Sequence, residues 1–223
     1  MINGAPLAKF ESLAEGLIKP LYADYAFGTI PCTIEFLLTR SKRGALLPPE
    51  CFGGAYPQPQ KIVLVFVDSF GWQFWQEYHR RFRTTARVVD EGTLTPISAL
   101  FPSTTAALVA TLNLGALPSL HSLYEWNIYI PAYGEVIQSL AFSPLGQPSA
   151  DSCLEKGYDP AALVTVRETI HQRLAAKGVR SIQFAHRSYA NSAFNRIASA
   201  GAKMVRHSTL AEALAMRLKA ELA

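Results

Sequence analysis

Two short stretches carry side chains of types that do chemistry. The first is Asp68, which ends the continuous apolar run Ile62 to Val67. Ligands of open α/β sheets bind outside the carboxyl ends of parallel strands, so a carboxylate there could hold a divalent cation such as zinc, magnesium or manganese. The competing reading is a helix cap, because Asp68 closely precedes the helix-like segment Trp72 to Phe82 and Asp is a common N-cap. The second stretch is Phe101-Pro102-Ser103-Thr104-Thr105-Ala106. Its three hydroxyls precede an apolar helix, whose N-terminus offers unpaired N–H groups and the positive end of a dipole to an anion. A threonine held there attacks phosphorus if a metal lowers the pKa of its hydroxyl. An ordinary Ser/Thr N-cap has the same sequence signature.

These residues need elements to position them. The run Ile62 to Val67 (IVLVFV) reads as a strand buried on both faces of a parallel sheet. A helix follows from Trp72 to Phe82, and another from Thr105 to Leu112, closed by Gly115 and Pro118. Asp159 as N-cap and Pro160 at the first position open a third helix. Leu163, Val166, Ile170 and Leu174 would line one of its faces, and Gly178 would stop it. Ser181 to Ala185 reads as a strand, Ser192 to Ala200 as a helix ended by Gly201, and Ala202 to Val205 as a further strand. A capping box from Thr209 to Glu212 opens a last helix, which runs to the final residues. Alternation of this kind predicts an α/β fold with a mainly parallel sheet. Residues 1–60 are less regular, with a helix around Leu7 to Leu17, a short one after Pro31, and a turn-rich stretch from Pro48 to Pro59. They read as a helix and wrapping loop ahead of the principal region, 61–223.

Composition limits the function classes. The chain is 49% hydrophobic and 17% charged, which marks a folded globular protein and excludes extended disorder. The formal charge of +4 is spread along the chain. Its densest basic patch, His79-Arg80-Arg81-Phe82-Arg83, is short for a nucleic-acid tract and reads as a solvated helix end. Cys32, Cys51 and Cys153 are odd in number and far apart, which suggests neither a disulfide framework nor a thiolate metal site. With Lys9, Glu11 and Glu15 interrupting the N-terminal stretch, a cytoplasmic protein is expected. From Gly92 to Tyr124 there are 33 consecutive residues without Asp, Glu, Lys or Arg. Pro96, Pro102, Pro118, Asn113 and His121 within that stretch argue for buried core and against a membrane span.

The ordered set of an apolar strand, Asp68, Phe101-Pro102-x-x-Thr105 and Leu114-Gly115-x-x-Pro118-x-x-His121 resembles the alkaline phosphatase superfamily. The likeness is to its type I phosphodiesterase/nucleotide pyrophosphatase branch, where Thr is usual at the position of Leu114 and Gly at that of Ser122. The resemblance implies a three-layer α/β/α sandwich and two divalent metal ions, zinc by expectation. It makes Asp68 a metal ligand and Thr105 both metal ligand and nucleophile, with Ser103 and Thr104 as fallback nucleophiles. His121 would be a scaffold residue near the site. Asn127 and Trp126 would lie in the substrate pocket. The aromatic group Tyr124, Trp126, Tyr129 and Tyr133 fits either a stacking surface for a flat substrate or core.

The expected activity is hydrolysis of phosphodiester or pyrophosphate bonds through a phospho-threonine intermediate. Its substrate would be a small phosphate ester or a nucleotide, with neither nucleic acid nor membrane as partner. Relatives draw further ligands from an Asp-x-x-x-His segment, an Asp-His pair and a distant His, and no such motif follows Asn127. The likeness therefore covers the N-terminal half of the family's domain, incomplete on the C-terminal side. A non-catalytic remnant acting as an interaction module, or a phosphomonoesterase or phosphomutase, is the alternative. His171 falls within an amphipathic helix, and His186 and His207 fall near strand ends. Of these, His186 has the best position for a pocket and reads as a loop histidine.

Overall fold

The computed structural model describes residues 1–147 and 149–219, and the chain divides into two compact units, Met1–Ser103 and Thr104–Ala223. The elements are mixed α/β with small sheets. Among the described residues no helix is long and apolar enough to cross a membrane.

In the first unit the strands β1 (Ser12–Ala14) and β2 (Leu17–Ile18) form a short antiparallel hairpin. A helix over Leu7 to Leu17 is therefore not formed. Pro6 starts a short 3-10 turn over Ala5–Lys9, and Gly16 at φ +73° reverses the chain where a helix would need to continue. Helix α1 (Ile30–Thr39) begins with Pro31 in its first turn and ends at Arg40 in the left-handed region. Two helices, α2 (Trp72–Tyr78) and α3 (Arg83–Glu91), occupy the remainder, and Arg87 and Glu91 pair one turn apart on α3. Tyr25, Ala26, Phe27, Leu37, Val89 and Leu100 are buried.

The run Ile62 to Val67 departs from expectation. Among the described residues it pairs with no strand, and Val63 through Val67 are exposed by 38% to 65%. An apolar run is a buried strand only when neighbours satisfy both its edges and its faces. Its Phe66 ring meets that of Phe27, the centroids 5.6 Å apart.

The second unit holds the larger core. Helix α4 (Thr105–Leu114) leads through Gly115 to the single turn α5 (Pro118–His121). Strands β3 (Asn127–Ile130), β4 (Glu135–Gln138) and β5 (Ser143–Pro144) make an antiparallel meander, with Ile128 opposite Ile137. After the short α6 (Ser152–Glu155) come α7 (Ile170–Ala175), β6 (Ile182–His186), α8 (Ala193–Ala198), β7 (Lys203–His207) and α9 (Leu210–Glu212). A π-helical segment, Ala213–Leu218, continues α9. Strands β6 and β7 are parallel, with His186 in register with His207. They are the parallel pair among the described residues, and the larger sheet is antiparallel. Leu114, Leu123, Ile137, Phe142, Cys153, Leu163 and Phe194 belong to one apolar core.

The expected helix from Asp159 to Gly178 is two pieces. Asp159 does cap, accepting from Ala161 N–H at 2.9 Å, but the turn it starts ends at Leu163. Val164 is extended, and the Thr165 N–H donates to the His121 carbonyl instead of continuing a helix. Thr169 and Gln172 then form a reciprocal capping box that starts α7 afresh. A long-range hydrogen bond and a stronger local cap together outcompete helix periodicity.

Gly115 is held by packing as well as by its conformation. It sits at φ +63° past the end of α4, and a Cβ there would run into the Arg173 guanidinium. That buried group donates to the Leu114 carbonyl at 3.2 Å and the Glu168 carbonyl at 3.4 Å. Gly115→Ala combines left-handed strain with overpacking and should destabilise the protein by about 2–4 kcal/mol. Chemical denaturation of the variant checks this, with an unchanged midpoint counting against the packing described.

Candidate active site

The hydroxyl run is sorted by its hydrogen bonds. Thr104 is the N-cap of α4: its Oγ1 accepts from the Ala107 N–H at 3.3 Å and donates to the Tyr124 carbonyl at 3.0 Å. Both capacities of that hydroxyl used for structure make Thr104 a poor nucleophile. Thr105 follows as the first helical residue, half-buried, at the positive end of a ten-residue helix without charged side chains. Ser103 is exposed.

The Thr104 bond also brings the expected pocket segment to the start of α4. Tyr124 and Trp126 are 48% and 43% exposed, and Asn127 is exposed at the start of β3 opposite Gln138. Glu125 fastens the segment, its carboxylate accepting from the Trp126 N–H at 2.6 Å and its carbonyl from the Ser139 hydroxyl at 3.0 Å. Of the aromatic group, Tyr133 is packed, its ring 3.9 Å from and parallel to that of Tyr158, whereas Tyr124, Trp126 and Tyr129 are exposed. Those three are not core.

His121 is fully buried, and burial lowers its pKa from 6.5 to about 4. Its Nδ1 accepts from the Leu123 N–H at 3.1 Å, so Nε2 carries the proton and donates to Thr111 Oγ1 at 3.1 Å. With both ring nitrogens committed, His121 has the scaffold geometry and no lone pair to offer a metal. Ser122, beside it, adopts φ +69°. The position where the resembled family has glycine is thus one whose backbone favours glycine.

Asp68 belongs to the first unit and Thr105 to the second. Asp68 is exposed in a turn, its Oδ1 accepting from the Ser69 N–H at 3.0 Å. Helix α2 begins at Gly71 without a side-chain cap, so Asp68 does not act as its N-cap. Among the described residues, no three His, Cys, Asp or Glu side chains come together as a metal-binding group. Neither a protein-family model, nor a curated protein, nor a solved structure matches the chain.

Two other histidines are partnered in ways the sequence does not reveal. His171 Nε2 lies 3.0 Å from Asn113 Oδ1, linking α7 to α4, and its pKa is lowered to about 4 by burial and by Arg173. His186 bonds Ser188 and the Ser208 carbonyl. The sequence signal for Ser188 is only a His-x-Ser spacing after an apolar strand, and Ser208 lies 22 residues from His186.

Two measurements test this description. In the unfolded chain His121 takes up a proton near pH 6.5, whereas in the folded protein it stays neutral down to about pH 4. The unfolded state therefore binds more protons in that window, and stability falls as pH drops from 6.5 towards 4, by about 3 kcal/mol for this residue. His121→Asn should remove about half of the slope in that window, because His171, lowered to about 4 as well, contributes the rest. Ser122→Gly removes left-handed strain and forfeits one exposed contact, Ser122 Oγ to Thr165 Oγ1 at 3.3 Å. Denaturation should show a gain of up to about 1 kcal/mol.

Proposed function

We propose that the chain hydrolyses phosphodiester or pyrophosphate bonds of a small phosphate ester or nucleotide, with Thr105 as nucleophile. The observation that carries this is the Thr104 hydrogen bond to the Tyr124 carbonyl. It sets Thr105, the next residue along, close in the chain to an anchor for exposed Tyr124, Trp126 and Asn127. Thr105 Oγ attacks phosphorus opposite the leaving group, and water then cleaves the phospho-threonine. The α4 dipole favours the negative charge of the phosphoryl group. Asn127 donates to a phosphoryl oxygen, and Trp126 offers a flat face to the substrate.

The proposal includes a three-layer α/β/α sandwich and two divalent metal ions, zinc by preference, for which Asp68 in the first unit and Thr105 in the second are each a donor. When bound, such ions would lower the pKa of the attacking hydroxyl and neutralise charge on phosphorus. The described residues assemble no full donor set for them, so the roles above are those of the chain's own side chains.

The test is turnover of bis-p-nitrophenyl phosphate with added zinc. Thr105→Ala should abolish it while circular dichroism stays unchanged, and retained turnover would remove Thr105 from the role. Thr104→Ala should cost about 1 kcal/mol of stability through the lost cap. If the unmodified protein has neither bound zinc nor turnover on this ester or on p-nitrophenyl phosphate, the chain is a non-catalytic remnant.

A further inference from the structure

The carboxyl ends of β6 and β7 carry a second group of reactive side chains. Such ends are where α/β proteins bind ligands. His186 is the last residue of β6, and its Nε2 lies 3.1 Å from the Ser208 carbonyl oxygen. A carbonyl only accepts, so Nε2 carries the proton and Nδ1 is the basic nitrogen. That Nδ1 accepts from the Ser188 hydroxyl at 2.7 Å and from the Ser188 N–H at 3.3 Å. Ser188 sits on the exposed turn between β6 and α8, its hydroxyl proton directed at a base whose tautomer a third group fixes. This is the relation of nucleophile, base and orienting acceptor found in serine hydrolases, with a backbone carbonyl as the acceptor.

A second histidine packs against the base. His207, in register with His186, has its ring 5.9 Å away and nearly perpendicular. It is more than nine-tenths buried, yet its Nδ1 has no hydrogen-bond partner. Tyr189, 54% exposed with its ring 6.0 Å from that of His186, offers a surface for a flat substituent.

We propose that Ser188 and His186 form a nucleophile and base pair for acyl transfer, acting on carboxylic esters with an aromatic leaving group. Ser188 Oγ bonds to the ester carbonyl carbon as its proton passes to His186 Nδ1. The ester C–O bond then breaks, and the leaving oxygen takes that proton. Water attacks the acyl-serine, yields a proton to Nδ1, and releases the carboxylic acid as Ser188 recovers its own proton. This activity is independent of the chemistry assigned to Thr105.

A fluorophosphonate probe and p-nitrophenyl acetate test it on the intact chain. Intact-mass and peptide mapping should place one phosphonyl adduct on Ser188, and p-nitrophenolate should appear as a burst of about one equivalent. Ser188→Ala should abolish both. His186→Asn should slow labelling roughly 100-fold, the usual range for loss of a general base. Ser188 is exposed, so Ser188→Ala keeps the fold and decides the nucleophile even if His186→Asn weakens β6. No adduct on Ser188, an adduct on Thr105 alone, or an equal labelling rate in His186→Asn would overturn the proposal.

Discussion

His121 joins three separate parts of the second unit. Its imidazole accepts a hydrogen bond from the Leu123 N–H and donates one to Thr111 on α4, while its backbone carbonyl accepts from the Thr165 N–H. A histidine with no exposed surface is tolerated only when neutral and fully partnered, because an unpaired polar group in the interior costs about 1–3 kcal/mol. This one interaction therefore constrains α4, the end of α5 and the segment entering α7 together. The start of α4, where Thr105 lies, inherits its position from that arrangement.

The surroundings follow the same logic of satisfying buried backbone. Many helices here are short, and three of those in the second unit begin at side-chain caps: Thr104 for α4, Thr169 with Gln172 for α7, and Ser192 for α8. At the other end of α4, the buried Arg173 covers the Leu114 carbonyl and presses against Gly115. Isolated helices of six to ten residues are marginal in water, so caps and tertiary contacts supply what length does not. The charge-free stretch from Gly92 to Tyr124 fits this account in part. On α4, Ala106, Ala107, Ala110, Thr111, Asn113 and Leu114 are buried, and Thr111 and Asn113 bond His121 and His171. A charge at those sites would lie in the core without a partner.

Local chemistry was legible where the deciding partners are near in sequence. The N-caps at Asp159 and Thr209, the helix after the hydroxyl run, and the strands near Ile182 and Lys203 all appear as the residues suggest. Periodicity failed where a distant partner intervened. Leu163, Val166, Ile170 and Leu174 have helical spacing, yet the Thr165 bond to the His121 carbonyl and the Thr169 cap divide the segment. Ile62 to Val67 has strand composition but no strand beside it among the described residues, and composition cannot supply an edge.

What the sequence determined by itself was the set of chemical possibilities: three adjacent hydroxyls at a helix start, a carboxylate after an apolar run, and a histidine after Pro118. Types and short spacings suffice for that, because caps and turns are made by residues within a few positions of one another. Only the tertiary structure decided among them. It used Thr104 for the cap and the Tyr124 carbonyl, committed both nitrogens of His121, exposed three of the four aromatic residues, and gave His186 a proton acceptor at Ser208. A hydroxyl or imidazole becomes reactive or structural according to which of its donors and acceptors are taken, and those partners come from segments brought together by folding.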